Sequence, residues 1–178
     1  MRRHGMAIVA GFALMCAWPS AARAQDDDDA RAITARVRGT FQDASGGLGV
    51  VSGDMTVVRF EMRNGVLTAI GSIVGAMADS TGRVIGPVNQ ELSMTVGNVA
   101  STCNQLRMDL AASETDVLHV RVHFDKEVAG FDSRNGTAPR TLGALCATGR
   151  LLDGRPAPGE LAVTLNNFAA ALAAGRVR

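Results

Sequence analysis

Between residues 32 and 97 the chain alternates apolar and polar positions with a period of two, the signature of strands that bury one face. Ile33, Ala35 and Val37 alternate with Thr34, Arg36 and Arg38, predicting a first strand that runs to about Phe41. Ser45-Gly46-Gly47 reads as a loop, and a long strand follows over 48–63. Asn64-Gly65 then marks a two-residue hairpin, because a type I′ turn needs positive φ at both central positions. That turn places Met62 opposite Leu67 and Phe60 opposite Ala69. A second hairpin turns at Asp79-Ser80-Thr81-Gly82, joining strands over 66–78 and 83–97. A short strand is expected over 105–112, with Leu106, Met108 and Leu110 on one face. The run from Thr115 to Asp125 reads as one further strand. Leu118, Val120, Val122 and Phe124 share a face, opposite Val117, His119, Arg121, His123 and Asp125.

Past the turn signal Asn135-Gly136 the period changes: Leu142, Leu145, Cys146, Gly149 and Leu152 recur at steps of three and four. Pro139 suits a first helical turn, so a helix is expected near 139–152. Asp153 to Gly159 is rich in breakers, and a second helix follows near 160–174, with Leu161, Leu165, Phe168 and Leu172 as its stripe and Gly175 as its stop. The expected fold is mainly β with C-terminal helices (α+β): a curved antiparallel meander, sandwich or partly open barrel, covered by two helices. Residues 32–178 are expected to form this single β-rich domain.

The first residues change the context of that fold. Arg2, Arg3 and His4 precede the apolar run from Met6 to Trp18, and Ala22-Arg23-Ala24 follows, the pattern of a secretory signal peptide over 1–24 cleaved near Ala24. The apolar run is too short to read as a membrane span, and none is expected in the mature chain. Asp26 to Asp29 make residues 25–31 an acidic, disordered linker. The mature protein is thus expected in the periplasm or outside the cell. Cys16 lies in the signal, which leaves Cys103 and Cys146 to form a disulfide in that oxidising setting; the competing reading is two buried, unbridged thiols.

Loss of Arg2, Arg3 and Arg23 leaves fifteen basic against seventeen acidic residues, a formal charge of −2. No basic stripe remains to suggest nucleic acid. The chain has no Tyr and its only Trp lies in the signal, so recognition by aromatic stacking is disfavoured.

The order Gly39-Thr40-Phe41, Gly46-Gly47, Arg59-Phe60, Asn64-Gly65-Val66-Leu67, Asp79 with Gly82 and Val84, Cys103, and Val122 to Asp125 precedes Leu142-Gly143-Ala144-Leu145-Cys146-Ala147 and Leu151-Leu152-Asp153. Together these resemble a family of small exported bacterial proteins of no assigned activity. The resemblance covers most of residues 36–172, and its most specific part is the L-G-x-L-C-A segment. It implies export, paired cysteines and strands followed by helices, and it implies no site. The polar segment 111–116 departs from the leucine-richer relatives.

Candidate chemistry is sparse. Gly49-x-x-x-Gly53-x-Met55 and Gly71-x-x-x-Gly75-x-Met77 repeat 22 residues apart. On strands such glycines either permit a tightly curved sheet or floor a ligand groove, with Met55 and Met77 as adaptable walls beside Met94. His119, Arg121, His123 and Asp125 share a strand face in the one-strand reading, but that spacing puts the two histidines about 13 Å apart, too far to share a metal. His123 and Asp125 are weak metal candidates, and a solvated strand face explains them better. There is no G-x-S-x-G motif, and no cofactor is expected. The expected function is that of a non-catalytic exported module acting by surface association with itself or another exported protein. The alternative is a carrier of a small apolar ligand or lipid held between sheet and helices, and the outsider is a metal-dependent enzyme using His119, His123 and Asp125.

Overall fold

A computed structural model describes residues 32–134 and 137–174. The secretory signal, the acidic linker, the Asn135-Gly136 turn and the Gly175 stop fall outside the described residues. Eight strands run β1 (Ile33–Gln42), β2 (Leu48–Arg63), β3 (Val66–Ala78), β4 (Val84–Ser101), β5 (Gln105–Leu110), β6 (Ser113–Val117), β7 (Val120–Phe124) and β8 (Glu127–Asp132). Two helices follow, α1 (Pro139–Asp153) and α2 (Pro158–Ala174). The architecture is the expected one, an antiparallel β-sheet curled toward a ring, with two C-terminal helices.

Alternation sets the faces and turn chemistry sets the register. Asn64 and Gly65 have φ of 51° and 78°, and Met62 pairs with Leu67 and Phe60 with Ala69, as the Asn-Gly turn predicts. The run 115–125 is corrected: it is not one strand. The chain reverses at Leu118-His119, with φ of 49° and 69°, so Val117 pairs with Val120 and is buried rather than sharing the outer face of Arg121 and His123. Histidine tolerates the left-handed region better than most residues but leucine does not, so local sequence announces this reversal only weakly, and the pairing of the flanking strands sets it. Strand β8 is also unforeseen, because its consecutive buried Ala129, Gly130 and Phe131 break the alternation.

Strands β5 and β6 are one strand interrupted at 111–112, and β7 and β8 one strand interrupted at 125–126, since β5–β8 and β6–β7 share a single continuous register. In those terms six strands form an up-and-down meander. It closes because β1 pairs with β2 along one edge, and with β8 at Thr34 and β7 at Gly39 and Thr40 along the other. Inside lie Val37, Met55, Ile73, Met94 and Met108, each at most 1% exposed.

The helices stopper the end of the ring where β2, β4 and β8 finish. Leu145, Leu165, Phe168 and Leu172 join the main core, and the Phe168 ring meets Phe131 edge to face at 5.2 Å. Gly149 lets α1 lie close on the β4–β5 turn, where a Cβ would stand 3.2 Å from the Ser101 carbonyl oxygen. Cys146 bonds Cys103 of that turn. Beyond Ile33↔Val57, the last β1–β2 pair, Phe60 finds Asn166 of α2 instead. The Asn166 Oδ1 accepts from the Phe60 N–H and its Nδ2 donates to the Phe60 carbonyl, both at 2.8 Å. One side chain thus stands in for the missing strand.

Two outcomes test this construction. Cys103→Ser opens a link across 43 residues and is expected to lower the unfolding free energy by about 2–4 kcal/mol in denaturant titration. Asn166→Ala strands two buried backbone groups and is expected to cost about 1–3 kcal/mol; a loss below experimental error would show that water replaces the amide.

Candidate functional site

The outer face of β2, β3 and β4 is built from cross-strand rows, and it divides into two halves. Toward the helices the rows are Arg59–Ile70–Ser93 and Glu61–Thr68–Thr95. Arg59 binds Glu61 at 2.7 Å and Glu91 at 3.2 Å, while Arg63 reaches Glu61 at 3.3 Å and the Ser93 hydroxyl at 3.3 Å. This lattice spans three strands and roofs Ile70, which is 0% exposed although it sits on the outside of the sheet.

Toward the other end the rows are Val50–Ala78–Val84, Ser52–Ala76–Pro87 and Asp54–Val74–Asn89. No charged lattice covers these rows among the described residues, and Val74 is 60% and Val84 66% exposed. Leu48 and Ile85 extend the apolar surface, Ile85 as the extra residue where the β3–β4 register shifts. Single exposed valines are ordinary, and here they recur across three neighbouring strands between Ser52, Asp54 and Asn89.

Two matching loops border this surface. Asp43-Ala44-Ser45-Gly46-Gly47 and Asp79-Ser80-Thr81-Gly82-Arg83 join β1 to β2 and β3 to β4. In each, the aspartate Oδ1 accepts from the hydroxyl two residues on at 2.6 Å and from backbone N–H groups two and four residues on, and the glycine has φ near 80° (82° and 84°). The loops also dock on one another: the Asp43 Oδ2 accepts the Ser80 N–H at 2.9 Å. The Ser45 hydroxyl, then Ser80, hold the Asp43 carboxyl far below the ordinary value, and the Thr81 hydroxyl lowers Asp79 in the same way.

The glycine repeat lies directly behind the apolar rows, on the inner face. Gly53 pairs with Gly75, and a Cβ on Gly53 would stand 2.8 Å from the Gly75 Cα, so both positions exclude any side chain. Gly49 lies under the Phe41 ring, Gly71 is buried against Thr56, and Met55 and Met77 are buried. These contacts match the curved-sheet reading of the repeat.

The histidine pair is not assembled into a cluster. His119 occupies the β6–β7 turn, while His123 faces Glu114 at 3.6 Å and Arg121 binds Asp116 at 2.8 Å. Asp125 sits in the break between β7 and β8, its N–H donating to the Arg38 carbonyl. Among the described residues no group of three or more His, Cys, Asp or Glu side chains is placed to hold a metal ion. A hollow of about 390 Å³ at that break is lined by Arg36, Arg38 and Lys126 together with Asp125 and Glu127, so it favours neither sign of ligand.

Sequence reading missed the exposed apolar rows, yet a signal was present. Val50-Val51, Ile73-Val74 and Val84-Ile85 are adjacent apolar pairs, and in a strand one member of each must face out. It placed both loops but missed their likeness and their docking on one another, although D-x-[S/T]-G recurs at Asp43 and Asp79. No protein-family model matches the chain, and no curated protein or solved structure matches it. Among the described residues no helix is long and apolar enough to cross a membrane.

The loop pair carries a pH dependence of known sign. Asp43 is depressed in the folded state, so its stabilisation is fully present above its ordinary value of 3.8 and is lost as acid protonates the folded carboxyl. Asp43→Asn is expected to flatten the acid limb of a melting-temperature profile below about pH 4 and to leave the neutral-pH dependence unchanged.

Proposed function

We propose that this is an exported, non-catalytic module that acts by surface association, and that the occupant of the apolar outer rows is a second copy of the chain. The observation that carries this reading is the contrast across one sheet face. The same three strands bury Ile70 under a charged lattice at one end, where Val58 and Val66 still stay exposed, and carry no such lattice over Val50, Val74 and Val84 at the other. The margin of the bare half holds both signs, Arg36 beside Asp54 and Arg83 beside Asp79, so a copy related by a twofold axis meets no block of like charge. The disulfide and the signal-like first residues support an oxidising compartment.

Val74→Glu and Val84→Glu alter exposed positions and are expected to shift folding stability by no more than about 0.5 kcal/mol. Sedimentation from micromolar to millimolar concentration is expected to show a dimer of the processed chain that either substitution abolishes. Monomeric behaviour of the unsubstituted protein throughout that range rejects the reading.

A second reading, carriage of a lipid with an apolar chain and a polar end, is supported by one separate observation. Three polar residues, Gln90, Ser113 and Thr115, occupy inward-facing positions along a seam between β4 and β6.

A further inference from the structure

The ring is not laced along its whole height. Strand β4 pairs with β5 from Val96 to Ser101, and the Ala111 N–H still reaches the Thr95 carbonyl at 2.8 Å. Past that point β4 and β6 run side by side with no ladder between them. Across the seam the Gln90 side-chain amide donates to the Asp116 carbonyl at 3.0 Å, and the Leu118 side chain lies over Gly86. Both strands of the β6–β7 hairpin are interrupted at one level, 111–112 and 125–126. Above that level the hairpin is held to the sheet by β1 at Gly39 and Thr40, and by the Arg38 carbonyl.

Behind the seam the wall is apolar, with Val88, Leu92, Val117, Val122 and Phe124 at most 1% exposed. One polar atom breaks that pattern. The Ser113 hydroxyl is buried and has no hydrogen-bond partner, the one such side-chain atom among the described residues. A buried hydroxyl ordinarily has a partner, so a solitary one beside an unlaced seam marks where a partner arrives from outside.

We propose that the β6–β7 hairpin is a flap, hinged at 111–112 and 125–126, that admits a small apolar molecule with a terminal oxygen, of the long-chain alcohol or fatty-acid class. The chain of the ligand lies against Leu92, Val117 and Phe124, and its oxygen meets the Ser113 hydroxyl. Gln90 is the latch. The site rests on the carrier reading, but the flap does not, so the two are tested separately.

Hydrogen exchange on the unliganded protein tests the flap. Amides of 113–124 are expected to exchange at least about tenfold faster than those of 105–110 and 127–132, and Gln90→Ala is expected to widen that gap. Equal protection of the two halves overturns the flap. Binding of decanol, decanoate and decane tests the site. The first two are expected to bind more tightly than decane, and Ser113→Ala is expected to weaken them about five- to tenfold without affecting decane. Because the hydroxyl has no partner to lose, Ser113→Ala is expected to keep the melting temperature of the unliganded protein. A flap that exchanges quickly while no probe binds overturns the carrier site and leaves the hinge standing. Binding that ignores Ser113→Ala overturns the placement of the ligand, as does a fall in melting temperature of the unliganded variant.

Discussion

The structure depends on one strand pairing along both of its edges. Strand β1 meets β2 from Ile33 to Gln42 on one side and shares the other between β8 and β7. Without that second edge the meander would be an open sheet with two exposed strands and an apolar face of more residues than two helices cover. Closure turns this face inward, and the helices then need to fill only one end. The Gly53–Gly75 approach fits the same constraint, because a sheet this curved brings neighbouring backbones closer than a side chain allows.

Closure also explains why the two ends of the molecule differ. At the helical end each loose edge is answered: Asn166 completes β2 at Phe60, and Cys146 fastens the β4–β5 turn. At the opposite end the tips of the β1–β2 and β3–β4 hairpins are tied to each other through Asp43, but the third hairpin, β6–β7, has no strand pairing with its neighbour β4. The disulfide and the Asn166 clamp gather at one pole, and two features with no partner in the fold lie away from it. These are the bare valines of the outer face and the solitary Ser113 hydroxyl.

Much of this was legible in the residues. The strands at 48–63 and 66–78, the Asn64-Gly65 register and both helices follow from period and turn chemistry, because each is decided by neighbours in sequence. The reversal at Leu118-His119 was not, since a leucine followed by a histidine is a weak turn signal and the alternation carries on through the turn with its faces exchanged. Strand β8 was hidden for a related reason: it is covered on both sides over Ala129 to Phe131, so it lost the alternation that identifies a strand with a wet face. Of the candidate surface, only the doubled apolar pairs hinted at outward valines, and the ion lattice that sets them apart joins residues up to 32 positions distant. Such a contrast belongs to the sheet and cannot be read along the chain.

The position of Cys146 beyond the last strand has a consequence for biogenesis. A chain synthesised or threaded from its first residue presents Cys103 with no described partner until every strand has appeared. Between the two described cysteines one intramolecular link exists, and it ties the first helix to the β4–β5 turn. The link therefore closes last, over a sheet whose strands all precede it in the chain.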